Sequence, residues 1–228
     1  MPARAAWLKR AALVVILLAL TGCVTLAYID HDGRQSIIRM AATDIRAAAS
    51  LLAQAHPAAP GTCTNSRQWS DLDLLADALA AVEQLGTSRF EHALETLLVR
   101  IASFIGWPAP DFSMGPSQIR PSTAEAALRS AGAAGAPAYP FPGRQQIARD
   151  LLCDCASHEL GVLVLRMLLR KHPGSEAELS RETIMRLAGE YNAQVTSPTA
   201  EAAIANYLYR ELTYQVFQEL KFRLRRAA

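Results

Sequence analysis

The residue best placed for acid–base chemistry is a glutamate at the end of an apolar helix. Glu83 follows Leu79 and Val82 in the last turn of a segment with helical apolar spacing. A partly apolar pocket raises the pKa of a carboxyl group, so that it can hold a proton for transfer. The competing interpretation is an ordinary solvated side chain, since a helix C-terminus does not stabilise a negative charge. Glu91 and Glu95, on the next predicted helix, are the alternative acids.

A proline-rich loop, residues 107–121, follows these carboxylates. It holds too many prolines for a helix, yet its pattern is too regular for a slack linker. Gly115 has no side chain to keep a ligand away from the backbone. Gln118 could hydrogen-bond a ligand, or only tie the loop to the preceding helix. Trp107 could stack on a ring, or fill a gap between helices.

The order of these features resembles that of the lysozyme-like lytic transglycosylases. In that family a helix-terminal catalytic Glu is followed by a Gly-Leu-Met-Gln-type loop, then Pro-x-Thr-Ala, and later an Ala-Tyr-Asn motif. Here residues 113–124 read Ser-Met-Gly-Pro-Ser-Gln-Ile-Arg-Pro-Ser-Thr-Ala, and residues 190–193 read Glu-Tyr-Asn-Ala. The similarity covers about residues 70–206, and the loop is its most specific part.

The resemblance implies cleavage of peptidoglycan glycan strands with a single glutamate, Glu83, as acid and then base. In that family the muramyl sugar's own groups complete the displacement and leave an anhydro product, so no second carboxylate, metal or cofactor is expected. Glycosidases in general use two carboxylates. The resemblance also implies that the glycan is bound by Ser113, Met114, Gly115, Gln118, Tyr191, Asn192 and Trp107, with Ser113 bracing the acid. The competing role for Tyr191 is a core tyrosine with a satisfied hydroxyl.

The chain departs from the family at the acid itself. The family's Glu-Ser pair lies about eighteen residues before the loop Gln. That spacing falls near Arg100, and the nearest similar sequence is Ala102-Ser103. An acid displaced upstream to Glu83 is one explanation. The alternative is a non-catalytic lysozyme-like envelope lipoprotein that binds glycan or a protein partner, and a purely structural lipoprotein is a third interpretation.

The N-terminus predicts export to the bacterial cell envelope. Arg4, Lys9 and Arg10 precede an apolar run, 11–20, that ends in Leu-Thr-Gly-Cys. This sequence resembles a lipobox, which implies a signal peptide over 1–22 and lipidation of Cys23. Because apolar residues continue to Ile29, an uncleaved membrane anchor over 11–29 is the alternative, and simple secretion a third. The lipoprotein and the membrane-anchor interpretations both place the helical domain, 35–228, on the periplasmic side.

Three more cysteines, Cys63, Cys153 and Cys155, lie in a compartment where disulfides persist. We expect a structural disulfide between Cys63 and either Cys153 or Cys155, which point about 200° apart on a helix. A metal site is not expected, because the Cys-x-Cys has no matching Cys or His pair.

Composition and spacing predict a mainly α-helical fold with one lysozyme-like domain. The formal charge is +2, and the three basic residues before the apolar run leave about −1 for the rest, so nucleic acid is not an expected partner.

Ser70 with Asp73 predicts a helix start, and Gly86 a helix end. The predicted helices are approximately 35–55, 70–86, 88–106, 122–128, 144–171, 176–193 and 199–225. The third carries an amphipathic stripe of Phe90, Leu94, Leu97, Leu98, Ile101 and Ile105, and the last ends in Lys221, Arg223, Arg225 and Arg226, expected to face solvent or anionic lipid.

Overall fold

The computed structural model describes residues 36–55, 70–87, 89–133, 142–172, 178–192 and 200–227. Within these ranges the fold is mainly α-helical without β-strands, which confirms the predicted fold class. The helices are α1 (36–43), α2 (Ile45–Ala55), α3 (Asp71–Gly86), α4 (Arg89–Ile105), α5 (Pro121–Ala133), α6 (Arg144–Leu151), α7 (Asp154–Leu169), α8 (Arg181–Tyr191) and α9 (Ala200–Ala227).

The N-terminal segment lies outside the described residues. The signal peptide, the lipidation of Cys23 and the anchor over 11–29 therefore stay predictions. None of the helices in the described part is long and apolar enough to cross a membrane.

Helix α3 is the centre of the core and begins as the sequence predicts. The Ser70 hydroxyl accepts from the Asp73 N–H at 3.2 Å, and the Asp73 carboxylate accepts from the Ser70 N–H at 2.9 Å. These reciprocal bonds satisfy N–H groups that a helix start leaves unpaired. Beyond this capping box Leu72, Leu75 and Leu79 are fully buried, and α3 packs against α2, α7 and α9. The cap thus fixes where the central helix enters the core.

The long α9 closes the core, and its end corrects a prediction. Lys221 Nζ lies 2.7 Å from the carboxylate of the buried Asp71, which also accepts from the Leu179 N–H at 2.9 Å. The Arg223 guanidinium donates to the Ala53 carbonyl. Lys221 and Arg223 therefore join α9 to other elements instead of facing solvent freely, because a buried carboxylate needs a charged or polar partner. Arg225 and Arg226 are exposed, as expected.

Two predicted helices are each divided in two. The Asp44 side chain accepts from the N–H groups of Arg46 and Ala47, so it starts α2 after a break in the segment predicted as 35–55. The segment predicted as one helix over 144–171 is interrupted between α6 and α7. There Cys153 is extended, with φ −98° and ψ 126°, and no glycine or proline marks the break.

The apolar stripe of α4 does not face the core. The side of α4 turned inward carries Glu95, Val99 and Ala102, all with 9% exposure or less. The stripe residues with described side chains are 42% to 52% exposed: Leu94, Leu97, Leu98, Ile101 and Ile105. Periodicity shows which residues share a helix face, but it does not show what that face contacts. The predicted amphipathic helix is therefore confirmed, and its apolar stripe lies on the exposed side.

Candidate functional site

The loop predicted to bind a ligand forms a tight turn anchored in the core. Met114 and Ile119 pair across an isolated antiparallel bridge and are 0% and 3% exposed. Between them the Gln118 N–H donates to the Gly115 carbonyl at 3.0 Å. Gly115 has φ 72°, and Gln118 adopts φ 48°, a left-handed conformation that costs a non-glycine residue stability. The sequence therefore builds a strained turn on two buried apolar anchors.

The turn packs closely against the backbone at the end of α6. A Cβ atom on Gly115 would lie 1.8 Å from the Leu151 carbonyl oxygen at the end of α6. Ser117 is 3% exposed, and its hydroxyl donates to the Ser157 carbonyl of α7 at 3.3 Å. The turn is thus held against both helices of the α6–α7 corner. Only glycine satisfies both the space and the φ angle at position 115.

Glu95 of α4 is the carboxylate that this turn holds. Its Oε2 accepts from the Gly115 N–H at 3.1 Å, and its Oε1 accepts from the Gln118 side-chain amide at 3.3 Å. The same amide group donates to the Gly115 carbonyl at 3.0 Å, and the His92 ring lies 3.4 Å from Glu95. Gln118 therefore ties the loop to the preceding helix, as the competing interpretation of that residue proposed.

A groove of about 340 Å³ opens beside this pair. It is lined by the end of α3, one side of α4 and the loop, through Gly86, Thr87, Glu91, Leu94, Glu95, Leu98, Phe112 and Gln118. Glu95 and Gln118 thus lie at the wall of an open space as well as in contact with each other. The polar atoms sit among apolar side chains, which is the usual composition of a ligand site.

Glu83 lies one helical turn before the groove, in a more enclosed environment. Its carboxylate accepts from the Tyr209 hydroxyl at 2.6 Å. Burial raises the pKa of Glu83, and the hydrogen bond from Tyr209 opposes that rise only in part. The Glu83 carboxylate is therefore largely removed from solvent and bonded to a tyrosine hydroxyl. Glu83 is not among the residues that line the groove, although Gly86 and Thr87 are.

Tyr191 connects the loop to α8 near Glu83. Its hydroxyl donates to the Ser117 carbonyl at 2.7 Å. Burial, followed by the negative charge of Glu83, raises its pKa well above the ordinary value. Tyr191 thus contacts the loop and lies close to Glu83. Asn192 ends α8, where its backbone N–H donates to the Ala188 carbonyl.

The other predicted ligand-binding residues occupy different positions. Met114 is fully buried and anchors the turn. Ser113 is half-buried just before it. Trp107 follows α4, is 66% exposed and is not among the residues that line the groove. Residues with metal-binding side chains form no group that could hold an ion within the described part.

Glu95 was only one of the alternatives at the sequence level, although one signal singles it out. It shares the narrow inward side of α4 with Val99 and Ala102, four and seven residues later. A glutamate in phase with buried residues needs hydrogen-bond donors, because an unpaired buried carboxylate is costly. The loop supplies them. The sequence does not show which loop meets that side of the helix.

The cysteines near the α6–α7 corner are in different states. Cys155 is disulfide-bonded, whereas Cys153 is a free, exposed thiol. Cys153 is thereby excluded from the predicted bridge. Cys63 lies outside the described residues, so its pairing with Cys155 stays a prediction.

Known proteins give no counterpart for the whole chain. No family model, curated protein or solved structure matches it.

Proposed function

We propose that this domain cleaves peptidoglycan glycan strands by a lysozyme or lytic transglycosylase type of mechanism with a single glutamate. The observation that carries the proposal is the contact of the Glu95 carboxylate with Gly115 and Gln118 at the wall of the groove. A general acid must reach the proton acceptor on the substrate, and a residue in the groove wall meets that requirement.

In this proposal Glu95 is the acid and then the base. It donates a proton to the glycosidic oxygen as the bond breaks. It then takes a proton from the muramyl hydroxyl that closes the anhydro ring, so the net proton balance at Glu95 is zero. The donors on Gly115 and Gln118 hold the carboxylate in place while its charge changes. A fixed geometry of this kind lowers the cost of aligning the acid with its substrate.

Glu83 is the acid that the sequence favours, and the structure gives it one of the two required properties. Burial raises its pKa, which favours the protonated form, and the hydrogen bond from Tyr209 opposes this rise. It does not line the groove, and its Oε1 already accepts from Tyr209. We therefore assign the acid to Glu95 and give Glu83 a supporting role, hydrogen-bonded to Tyr209.

A non-catalytic function is the second candidate. Both carboxylate oxygens of Glu95 are already engaged by donors from the loop. An arrangement that serves only to hold the loop would have the same contacts, and the groove would then bind a glycan without cleaving it. Activity and binding must therefore be measured separately.

The test is release of anhydro-muropeptides from purified peptidoglycan by the full chain in detergent, followed by mass analysis. We expect Glu95→Gln to reduce release by about 10²- to 10⁴-fold, the usual contribution of a general acid. Glu83→Gln should retain measurable activity. Glu159→Gln is the matched control, because Glu159 is exposed on α7, away from the groove.

The outcomes separate the interpretations. Loss of release in Glu83→Gln with normal release in Glu95→Gln would move the acid to Glu83. Equal release by all variants would refute a glutamate acid at either position. A folded wild type that binds peptidoglycan and releases nothing would support the binding function.

A further inference from the structure

Helix α4 presents a continuous apolar face to solvent. Its members recur at helical spacing and are 42% to 90% exposed: Leu94, Leu97, Leu98, Ile101, Phe104 and Ile105. Trp107 extends the face just beyond the helix end and is 66% exposed. Seven large apolar side chains are thus exposed within fourteen residues of the chain, and exposed apolar patches commonly mark contact sites for proteins or membranes. This face therefore needs an occupant.

Helix α4 has the features of an amphipathic helix that lies in the interface of a membrane. Helical spacing places Glu95 and Val99 on the side turned to the core and Leu97 and Ile101 on the opposite side. The exposed Glu91 lies at one edge of this face, beside Leu94 and Leu98, and the exposed Arg100 lies at the other edge. Such a helix buries its apolar side at the boundary between headgroups and acyl chains. A tryptophan beside the helix end is typical of that depth.

The length of chain before α1 keeps the domain close to a bilayer. The sequence predicts a membrane attachment at Cys23 or through 11–29, and the described helices begin at residue 36. Thirteen residues separate Cys23 from residue 36, so the connection spans at most about 45 Å when fully extended. A domain of about 190 residues is roughly 40 Å across, so its faces lie within reach of the membrane.

We propose that the exposed face of α4 docks on the surface of the lipid bilayer to which the N-terminus is attached. The proposal rests on that predicted attachment and does not depend on glycan cleavage. Leu94 and Leu98 belong to both the apolar face and the groove wall. Docking therefore places the groove with Glu95 at the membrane surface, where the glycan segments nearest the bilayer would be its ligands.

The experiment uses the full chain in vesicles of phosphatidylcholine and phosphatidylglycerol. Trp7 and Trp69 are replaced by Phe, so that Trp107 is the remaining fluorophore. Lipids brominated along the acyl chain quench a tryptophan that enters the interface. We expect strong quenching of Trp107 in this background. Leu97→Glu with Ile101→Glu should reduce the quenching to the level measured with unbrominated lipid.

The matched control is Ile204→Glu, because Ile204 is also exposed, at 61%, but lies on α9. It should leave the quenching of Trp107 unchanged. Far-UV circular dichroism confirms that each variant is folded, and vesicle flotation confirms that the N-terminus still holds it.

Two results would overturn the proposal. One is a folded, vesicle-bound protein whose Trp107 is not quenched. The other is a blue shift of Trp107 emission that depends on protein concentration and occurs without lipid, which would assign the face to a second copy of the chain. Muropeptide release, measured on the same samples, tells failure of docking apart from failure of the proposed enzyme activity.

Discussion

A histidine held between two aspartates links α3 to α7 and gives the fold a measurable pH dependence. His158 Nδ1 lies 2.8 Å from Asp77 Oδ1, and its Nε2 lies 3.7 Å from Asp73 Oδ1. The side chain is 11% exposed. Burial by itself lowers the imidazole pKa, but hydrogen bonds and charge from Asp73 and Asp77 outweigh it and raise the pKa to about 9.

The magnitude follows from the proton balance. The unfolded chain releases the His158 proton near pH 6.5, whereas the folded chain holds it up to about pH 9. The stability that the protonated His158 adds to the fold is therefore fully present below pH 6.5 and is lost as the pH rises through 9. The difference corresponds to about 3 kcal/mol of unfolding free energy. Burial tends to raise the pKa of Asp73, but hydrogen bonds from His158 and Ser70 hold it well below its usual range, so this shift arises partly from the same contact.

The assay is urea unfolding of the full chain in detergent, followed by circular dichroism between pH 6.5 and pH 9.5. Cys153→Ser serves as the background, because a free thiol close to the Cys155 disulfide would exchange with it at alkaline pH. Serine is also a favourable residue at this helix start. His158→Gln in that background should show a much smaller decline than the parent. Parallel stability curves for the two proteins would refute the assigned role of His158.

Two further predictions concern the loop and the buried acid. Gly115→Ala should destabilise the fold by more than about 2 kcal/mol and lower its Tm, because the new Cβ meets the Leu151 carbonyl. Gly132→Ala, at a helical position with open space, should be neutral or stabilising, and equal Tm shifts in the two variants would contradict the packing argument. Glu83→Gln should raise the Tm at pH 7, because the raised pKa makes the carboxylate unfavourable above the unfolded value of 4.5. This gain in Tm should vanish below pH 4.5. The Tyr209 hydroxyl keeps an acceptor, because the amide oxygen of the glutamine replaces the carboxylate oxygen. A lower Tm of the variant at pH 7 would refute the reasoning.

The parts of the fold that local chemistry determines could be predicted from the sequence. The start of α3 depends on Ser70 and Asp73, which are three residues apart and bond to each other. Its end at Gly86 was also predicted correctly. The break before α7 was not predicted, because no helix-breaking residue marks it. The extended Cys153 lies at the corner that packs against Gly115, a tertiary contact. Local signals thus located helix ends but not tertiary contacts.

The candidate site shows the same division. The sequence singled out the loop with Gly115 and Gln118, and their positive φ angles now show why that segment is unusual. The sequence favoured Glu83 over Glu95, because the end of an apolar helix can be recognised from neighbouring residues in the sequence alone. The contact of Glu95 with the loop joins residues 20 and 23 positions apart. Only the crossing of α4 over the turn creates that contact.

The two walls of the groove are supported unequally. The loop wall is fixed, because Gly115 rests on the Leu151 backbone and Ser117 is bonded to α7. The α4 wall, which lies beside the end of α3, packs in the described part mainly against α6 and reaches the loop through Glu95. Any change in the tilt of α4 would therefore change the width of the groove. A ligand that bound the outer face of α4 more tightly at one tilt would shift the groove toward the matching width, and a ligand in the groove would in turn change the affinity of the outer face.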